Sequence, residues 1–226
     1  MSPFSSPDTD RKTQLRAEML NAHPLTRGLA ENDIYTLAKM CRIQEMPART
    51  TFIHEGSHPE SVYLIVKGGV RIFSIAVDGK EITLAFLGPQ AVLGEIAYLD
   101  ESVRSASAET IRETEMLVLR GQDFHNAIQQ YPVAMMNLLA ILAKRIRNTN
   151  QQIQDVVSTS LTDRTHKTLS ILEKYFPNGE ICFSHDDLAL ILGATRPRVT
   201  EVLHHLRDLG KLVLGRNKIS ISASFS

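Results

Sequence analysis

Residues 183–210 read FSHDDLALILGATRPRVTEVLHHLRDLG, and this stretch decides the C-terminal part of the fold. Ser184 precedes Asp187 by three residues, a capping-box variant that starts a short helix with Leu188, Ile191 and Leu192 on its apolar face. Gly193 can make the sharp turn that follows. Thr195 then stands as the N-cap of a second helix, with Pro197 in its first turn, where a missing N–H costs little. Val199, Val202, Leu203, Leu206 and Leu209 form the expected buried face, which leaves Arg196, Arg198, Thr200, Glu201 and His204 outward or toward the helix N-terminus. Helix, glycine turn, helix is the geometry that lays a second helix into a major groove of DNA. Arg196 or Arg198 can give a bidentate pair to guanine, and Glu201 can accept from a cytosine amino group. A plain helical hairpin with a solvated charged face shares this pattern. The run LVLGRNKISIS at 212–222 adds a two-stranded wing, with Gly215, Arg216 and Asn217 as turn residues and Arg216 and Lys218 near the tip.

Upstream, residues 133–158 carry no Pro or Gly and predict one long helix. Met135, Leu139, Leu142, Ile146, Thr149, Ile153 and Val156 recur at alternating spacings of four and three, the a/d contact line of a two-stranded coiled coil. An amphipathic helix lying on its own domain is the alternative. Thr149 is the one polar member of the seam.

Between about residues 46 and 120 the pattern is β-rich: TFIHEG, SVYLIVKGGVRIF, EITLAFLG and EMLVLR, punctuated by glycines. Many short strands between glycine turns predict a β-sandwich or jelly roll. Inside it, GEIAYLDESVRSASA at 94–108 combines a Gly-Glu entry, a helix-compatible stretch and Arg104. Backbone N–H groups at a helix start together with a guanidinium suit a phosphate, and Glu95 suits a sugar hydroxyl. A surface loop in which Glu95 and Arg104 pair with each other explains the same residues. Residues 1 to about 20 are polar and read as a loose extension before a short helical region at about 31–41.

The chain has 226 residues, 43% of them hydrophobic, enough for one large or two modest domains. No apolar run reaches the roughly 18 to 20 residues needed to span a bilayer, and the first residues lack the apolar core of a signal peptide. A cytoplasmic protein without a membrane partner is expected. With only Cys41 and Cys182, far apart, neither a disulfide framework nor a CxxC metal site is available, and a four-cysteine iron–sulfur cluster within one chain is excluded. Formal net charge is zero, with 9 Lys/Arg against 7 Asp/Glu from Thr159 onward and 16 against 18 before it. The basic bias falls on the helix-turn-helix side but is weak. No nucleophile elbow, Walker loop or HExxH motif supports an enzyme.

The glycine-punctuated β-roll, the cassette GEIAYLDESVRSASA, the seam helix and TRPRVTEVLHHLRDLGKL at 195–212, in this order, closely resemble the cyclic AMP receptor protein family of bacterial regulators over about residues 25–222. The wider superfamily includes the fumarate and nitrate reduction regulators. The resemblance implies an α+β chain: an N-terminal β-roll, or double-stranded jelly roll, at 20–130, a long dimerisation helix at 131–158 and a C-terminal winged helix-turn-helix at 159–226. It implies a homodimer on a pseudo-palindromic operator, RNA polymerase as a further partner, and a cyclic nucleotide, cyclic AMP first, as allosteric effector. Glu95 then takes the ribose 2′-hydroxyl and Arg104 with Ser105 the cyclic phosphate, while Gly94, Ile96 and Ala97 supply backbone. The family places a Thr-Ser pair against the base, and this chain has Thr149 and Asn150 there. Ala85 also replaces a serine near the base. At the DNA end, Arg196, Pro197 and Glu201 stand where the family uses an Arg-Glu start and a later Arg, which implies the same docking mode on a different operator sequence, with Thr195, Arg196, Arg198, Thr200, Glu201 and His204 as the contacting set. Two alternatives within the superfamily stay open. One is a haem sensor using His54, Cys41 or the N-terminus as axial ligand, and the other a regulator with no small-molecule effector.

Overall fold

The computed structural model describes residues 7–176, 178–215 and 218–222, with side chains described from Asp10 and not for 152–158. The chain divides into two compact units, one made of residues 1–70 with 87–147 and the other of 71–86 with 148–226.

The first unit opens with α1 (Pro7–Asn21), a helix where the sequence suggested a loose extension. Its polar composition hid the reason: Thr13, Ala17 and Leu20 are buried at spacings of four and three, and the Arg16 guanidinium donates to the Cys41 carbonyl at 2.9 Å. One stripe of three small or apolar residues is enough once α2 (Glu31–Met40) offers Ile34, Leu37 and Ala38 to pack against. Strands β1 (Arg42–Met46), β2 (Thr51–Ile53) and β3 (Ser61–Lys67) follow, and after the hairpin of β4 (Val70–Ile75) and β5 (Glu81–Leu87), which is grouped almost entirely with the second unit, come β6 (Val92–Leu93), β7 (Ser107–Thr110) and β8 (Thr114–Arg120). One sheet runs β1-β8-β3-β6, while β2 pairs with β7 through a register shift. Along β3 and β8, Val62 lies opposite Leu119 and Leu64 opposite Leu117, so the inward faces meet as apolar cross-strand pairs. This is a mixed α+β fold with an antiparallel, jelly-roll-like N-terminal part and C-terminal helices.

Between β6 and β7 lies α3 (Ile96–Leu99), a single turn; α4 (Gly121–Gln130) and α5 (Pro132–Ser158) follow β8. α5 serves two faces. Ala134 and Leu138 are buried in the core of the first unit beside Leu20, Leu64, Leu117 and Phe124, with Ile141 and Leu142 partly packed on it. Met135, Leu139 and Ile146 remain exposed, Leu139 by 52% and Ile146 by 62%. One stripe of the helix therefore lies on its own domain, as the amphipathic alternative expected, while Met135, Leu139, Ile146 and Thr149 of the expected seam are left uncovered in the single chain. Ile153 and Val156 lie outside the described side chains.

In the second unit, α6 (Leu161–Glu173) is capped by Ser160, and β9 (Glu180–Ile181), α7 (His185–Leu192), α8 (Arg196–Asp208), β10 (Leu212–Gly215) and β11 (Lys218–Ile221) follow. The wing is a three-stranded sheet in the order β10-β11-β9, one strand more than the sequence indicated. β9 is only two residues long, too short to carry a period, and is fixed by pairing Ile181 with Ile219. The turn residues Arg216 and Asn217 lie outside the described residues. Leu169, Leu172, Ile181, Leu188, Val199, Leu203, Leu206 and Ile219 form the buried centre. Leu209, expected on the buried face of α8, is instead 55% exposed, because the helix ends at Asp208 and Leu209 is its C-cap, off the helical stripe.

Candidate functional site

The cassette at 94–108 turns out of β6 through Gly94 at φ +79°, where a side chain would strike the Arg104 guanidinium and approach the Ser61 carbonyl at 3.0 Å. Glycine is therefore needed here both for its backbone and for the room it leaves. Glu95 is 0% exposed. Its Oε1 accepts from the Arg145 guanidinium at 2.5 Å, and Arg145 also donates to the Val92 carbonyl at 2.6 Å. The other carboxylate oxygen, Oε2, is buried with no hydrogen-bond partner among the described residues. Burial pushes the Glu95 carboxyl above the usual carboxylate range, against the opposing pull of Arg145 and then Arg104.

Arg104 is buried as well. It does not pair with Glu95 in the hydrogen-bonded sense that the surface-loop alternative requires. Its Nη1 donates to the Gly94 carbonyl at 2.8 Å and its Nη2 to the Ser61 carbonyl at 2.7 Å, with the guanidinium 5.9 Å from the centre of the Tyr98 ring. A buried cation thus gives its hydrogen bonds to neutral carbonyls and acts on Glu95 through its field alone. Ala97 is buried beside it, whereas Ile96 and Ser105 are exposed. The structure brings Gly94, Glu95, Ala97 and Arg104 together. Thr149 and Asn150 are exposed on α5, among the residues of the second unit.

Of the residues considered for haem ligation, Cys41 is buried and its thiol is pushed up to about 12 by desolvation, so it is held as a neutral thiol. His54 is exposed just beyond β2. No group of three or more His, Cys, Asp or Glu is arranged for a metal ion among the described residues.

The helix-turn-helix is built as its caps require. Ser184 Oγ accepts from the Asp187 N–H at 3.1 Å, and the Asp187 carboxylate accepts from the Ser184 N–H at 2.8 Å. Gly193 ends α7 in the left-handed region at φ +59° and sends the chain into α8. Thr195 occupies the N-cap position without a side-chain cap bond, and Pro197 sits in the first turn. Arg196, Arg198, Glu201 and His204 are exposed on α8, with Thr195 at its head. Thr200 is half-buried and its hydroxyl lies 2.9 Å from His185 Nδ1, so it is directed at α7 rather than outward. Arg196 Nε is 3.4 Å from Asp186 Oδ1.

Residues 43–131 match the model of the cyclic nucleotide-binding domain. The chain is 30% identical to the cyclic AMP receptor protein of Thermus thermophilus over 202 residues, which cover 89% of this chain and 94% of the relative. The chain belongs to the cyclic AMP receptor protein family. A crystal structure of the Thermus thermophilus catabolite activator protein matches 88% of this chain and 93% of its own, with 31% identity and a TM-score of 0.51. The cyclic di-GMP-responsive global regulator of Xanthomonas campestris shares the fold, with a TM-score of 0.71 at 24% identity over 86% of this chain and 100% of that one. No described helix is long and apolar enough to cross a membrane.

Sequence reasoning missed three residues that contact the expected site residues. Arg145 is fifty positions from Glu95 and sits beside the seam on α5, where a charge reads as solvated. Asp186 and His185 are first-turn residues of α7 whose partners, Arg196 and Thr200, lie across the turn. For Arg145 the available signal was weak: the carboxylate of Glu95, if buried, needs a cation beside it.

Proposed function

We propose that the protein is a homodimeric, cytoplasmic transcription regulator of bacterial type, not an enzyme, that binds a cyclic nucleotide in its β-roll and a pseudo-palindromic operator through α7 and α8. The observation that carries the effector reading is the buried Glu95 Oε2, without a hydrogen-bond partner among the described residues, in the same cassette as an Arg104 guanidinium whose hydrogen bonds go to the neutral carbonyls of Gly94 and Ser61. An orphaned buried acceptor costs about 1–3 kcal/mol unless a donor reaches it. A ribose hydroxyl is such a donor, and a cyclic phosphate is an anion that the neighbouring guanidinium can hold. Ser105 contributes a hydroxyl to the phosphate, Gly94, Ile96 and Ala97 supply backbone, and Thr149 and Asn150 on α5 meet the base. Cyclic AMP is the first candidate, and Ala85 and Asn150, both departures from the family pattern, set the preference for the base.

Arg145 supplies the route from ligand to helix. It joins α5 to Glu95, so a hydroxyl that enters the Glu95 carboxylate alters the bond holding that helix, and a ligand that binds two helix placements unequally shifts their populations. The uncovered stripe of Met135, Leu139 and Ile146 supports a two-fold partner helix. With two recognition helices related by that axis, half-sites stand about one helical turn apart. Thr195, Arg196, Arg198, Glu201 and His204 face the DNA, with Thr200 behind them. The family's role in transcription supports RNA polymerase as a further partner.

Calorimetry with cyclic AMP, cyclic GMP and cyclic di-GMP on the wild type and on Arg104→Ala tests the effector. Cyclic AMP should bind, and the variant should lose about 1.5–3 kcal/mol, roughly one to two powers of ten in affinity. Absence of binding by any of the three at millimolar concentration would reject the cyclic-nucleotide reading.

A further inference from the structure

The first residue of α7, His185, touches α8 beside the side chains that the proposed function turns toward DNA. His185 Nδ1 lies 2.9 Å from Thr200 Oγ1, one turn into α8, and its ring meets that of His204 edge to face with centres 6.3 Å apart. Beside it, Asp186 Oδ1 lies 3.4 Å from Arg196 Nε. Two consecutive side chains of α7 thus meet Arg196 and His204, which α8 exposes, and Thr200, which lies behind them. Contact through Nε leaves the two terminal nitrogens of Arg196 for the fork that guanine accepts.

We propose that His185 is a positioning residue for the DNA-reading helix and that operator binding takes up a proton at its ring. The inference rests on the reading of α8 as the DNA-contacting element. The groups that face the imidazole are Asp186 on its own helix and Arg196, Thr200 and His204 on α8, while the carboxylate of Asp187 is occupied by the Ser184 cap. Two cationic or ionisable groups oppose a charge on the ring and one carboxylate favours it. Partial burial, then His204 and Arg196, hold His185 below the ordinary histidine range in the free protein. A phosphate backbone docked on α8 brings a dense negative field to the same place and favours the imidazolium. The hydrogen bond survives protonation, because Nδ1–H can donate to the Thr200 hydroxyl oxygen, so the clasp persists while the charge changes.

The ring is more basic in the complex than in the free protein, so the complex binds more protons, and operator affinity rises as pH falls from the complex's pKa toward that of the free protein. The gain is at most tenfold for each pH unit between those two values.

The test uses the full-length protein and a palindromic duplex selected from random DNA, with affinity measured between pH 5.5 and 8 at fixed salt. The wild type should bind about three- to tenfold more tightly at pH 6 than at pH 7.5, within that ceiling. His185→Ala should bind more weakly at every pH. His185→Gln, whose amide can hold Thr200 but cannot titrate, should recover most of that loss while flattening the pH dependence. The ring-proton resonance of His185, assigned by its absence in His185→Gln, should titrate at higher pH with DNA than without. If the pH dependence is the same in the wild type and His185→Gln, or the resonance does not move on DNA, the proposal is wrong while the DNA-binding reading stands. If no duplex is enriched at any pH, both fall.

Discussion

Replacing Arg145 with methionine removes the guanidinium that Glu95 Oε1 accepts from at 2.5 Å and leaves the carboxylate, whose side chain is 1% exposed, with two unmatched oxygens instead of one. Methionine retains most of the aliphatic stem, so the loss is electrostatic rather than a cavity. Breaking a buried pair from one side costs about 3–5 kcal/mol. The Arg145 side chain keeps 24% of its surface, so water already shares its solvation and the low end of that range is expected, about 3 kcal/mol. Glu95→Gln should cost less, because it removes the desolvated charge together with the ion pair, and the double variant should be closer to Glu95→Gln than to the sum of the singles. Urea unfolding of all four proteins, followed by circular dichroism, gives the coupling energy. The pH dependence provides a second reading. In Arg145→Met the Glu95 carboxyl titrates higher in the folded than in the unfolded chain, so the native state binds more protons and the variant regains stability as pH falls from the folded value toward the unfolded one. A cost below about 0.5 kcal/mol, or single-variant costs that simply add, would show that the pair does not hold α5 to the cassette.

Ile146→Asp should give a folded monomer by sedimentation, because a side chain 62% exposed in one chain would carry its charge into the proposed dimer seam at a cost of several kcal/mol. A dimer persisting at micromolar concentration would refute the seam. Gly94→Ala places a methyl group against the Arg104 guanidinium at a φ of +79° and should cost about 1–3 kcal/mol in thermal unfolding together with measurable loss of cyclic-nucleotide affinity. Unchanged unfolding and affinity would mean that the tight Gly94–Arg104 approach plays no part in holding the site.

What the sequence revealed was local or periodic. Ser184, Asp187 and Gly193 fix the ends of α7 through bonds within a few residues, so spacing alone places them. Met135, Leu139, Leu142 and Ile146 declare a stripe because a helix repeats it. α1 was hidden because its buried stripe is Thr13, Ala17 and Leu20, a pattern too small and polar to stand out until α2 supplies the opposing surface. Leu209 fits the stripe of α8 by counting, but the helix ends one residue before it. The two most informative polar contacts, Arg145 with Glu95 and His185 with Thr200, join residues fifty and fifteen positions apart. Neither spacing corresponds to a turn, a cap or a heptad, and only the packing of one element on another brings the partners together.

In the proposed function, a small molecule in the cassette governs sequence-specific DNA binding through a dimer. Selection of binding sites from random duplex DNA, run in parallel without ligand and with millimolar cyclic AMP, cyclic GMP or cyclic di-GMP, addresses it most directly. A pseudo-palindromic site should emerge, with half-sites about one helical turn apart and enrichment changed by a cyclic nucleotide in the wild type but not in Arg104→Ala. A palindrome enriched equally under all conditions would contradict the effector half of the account, and failure to enrich any palindrome under any condition would contradict the whole of it.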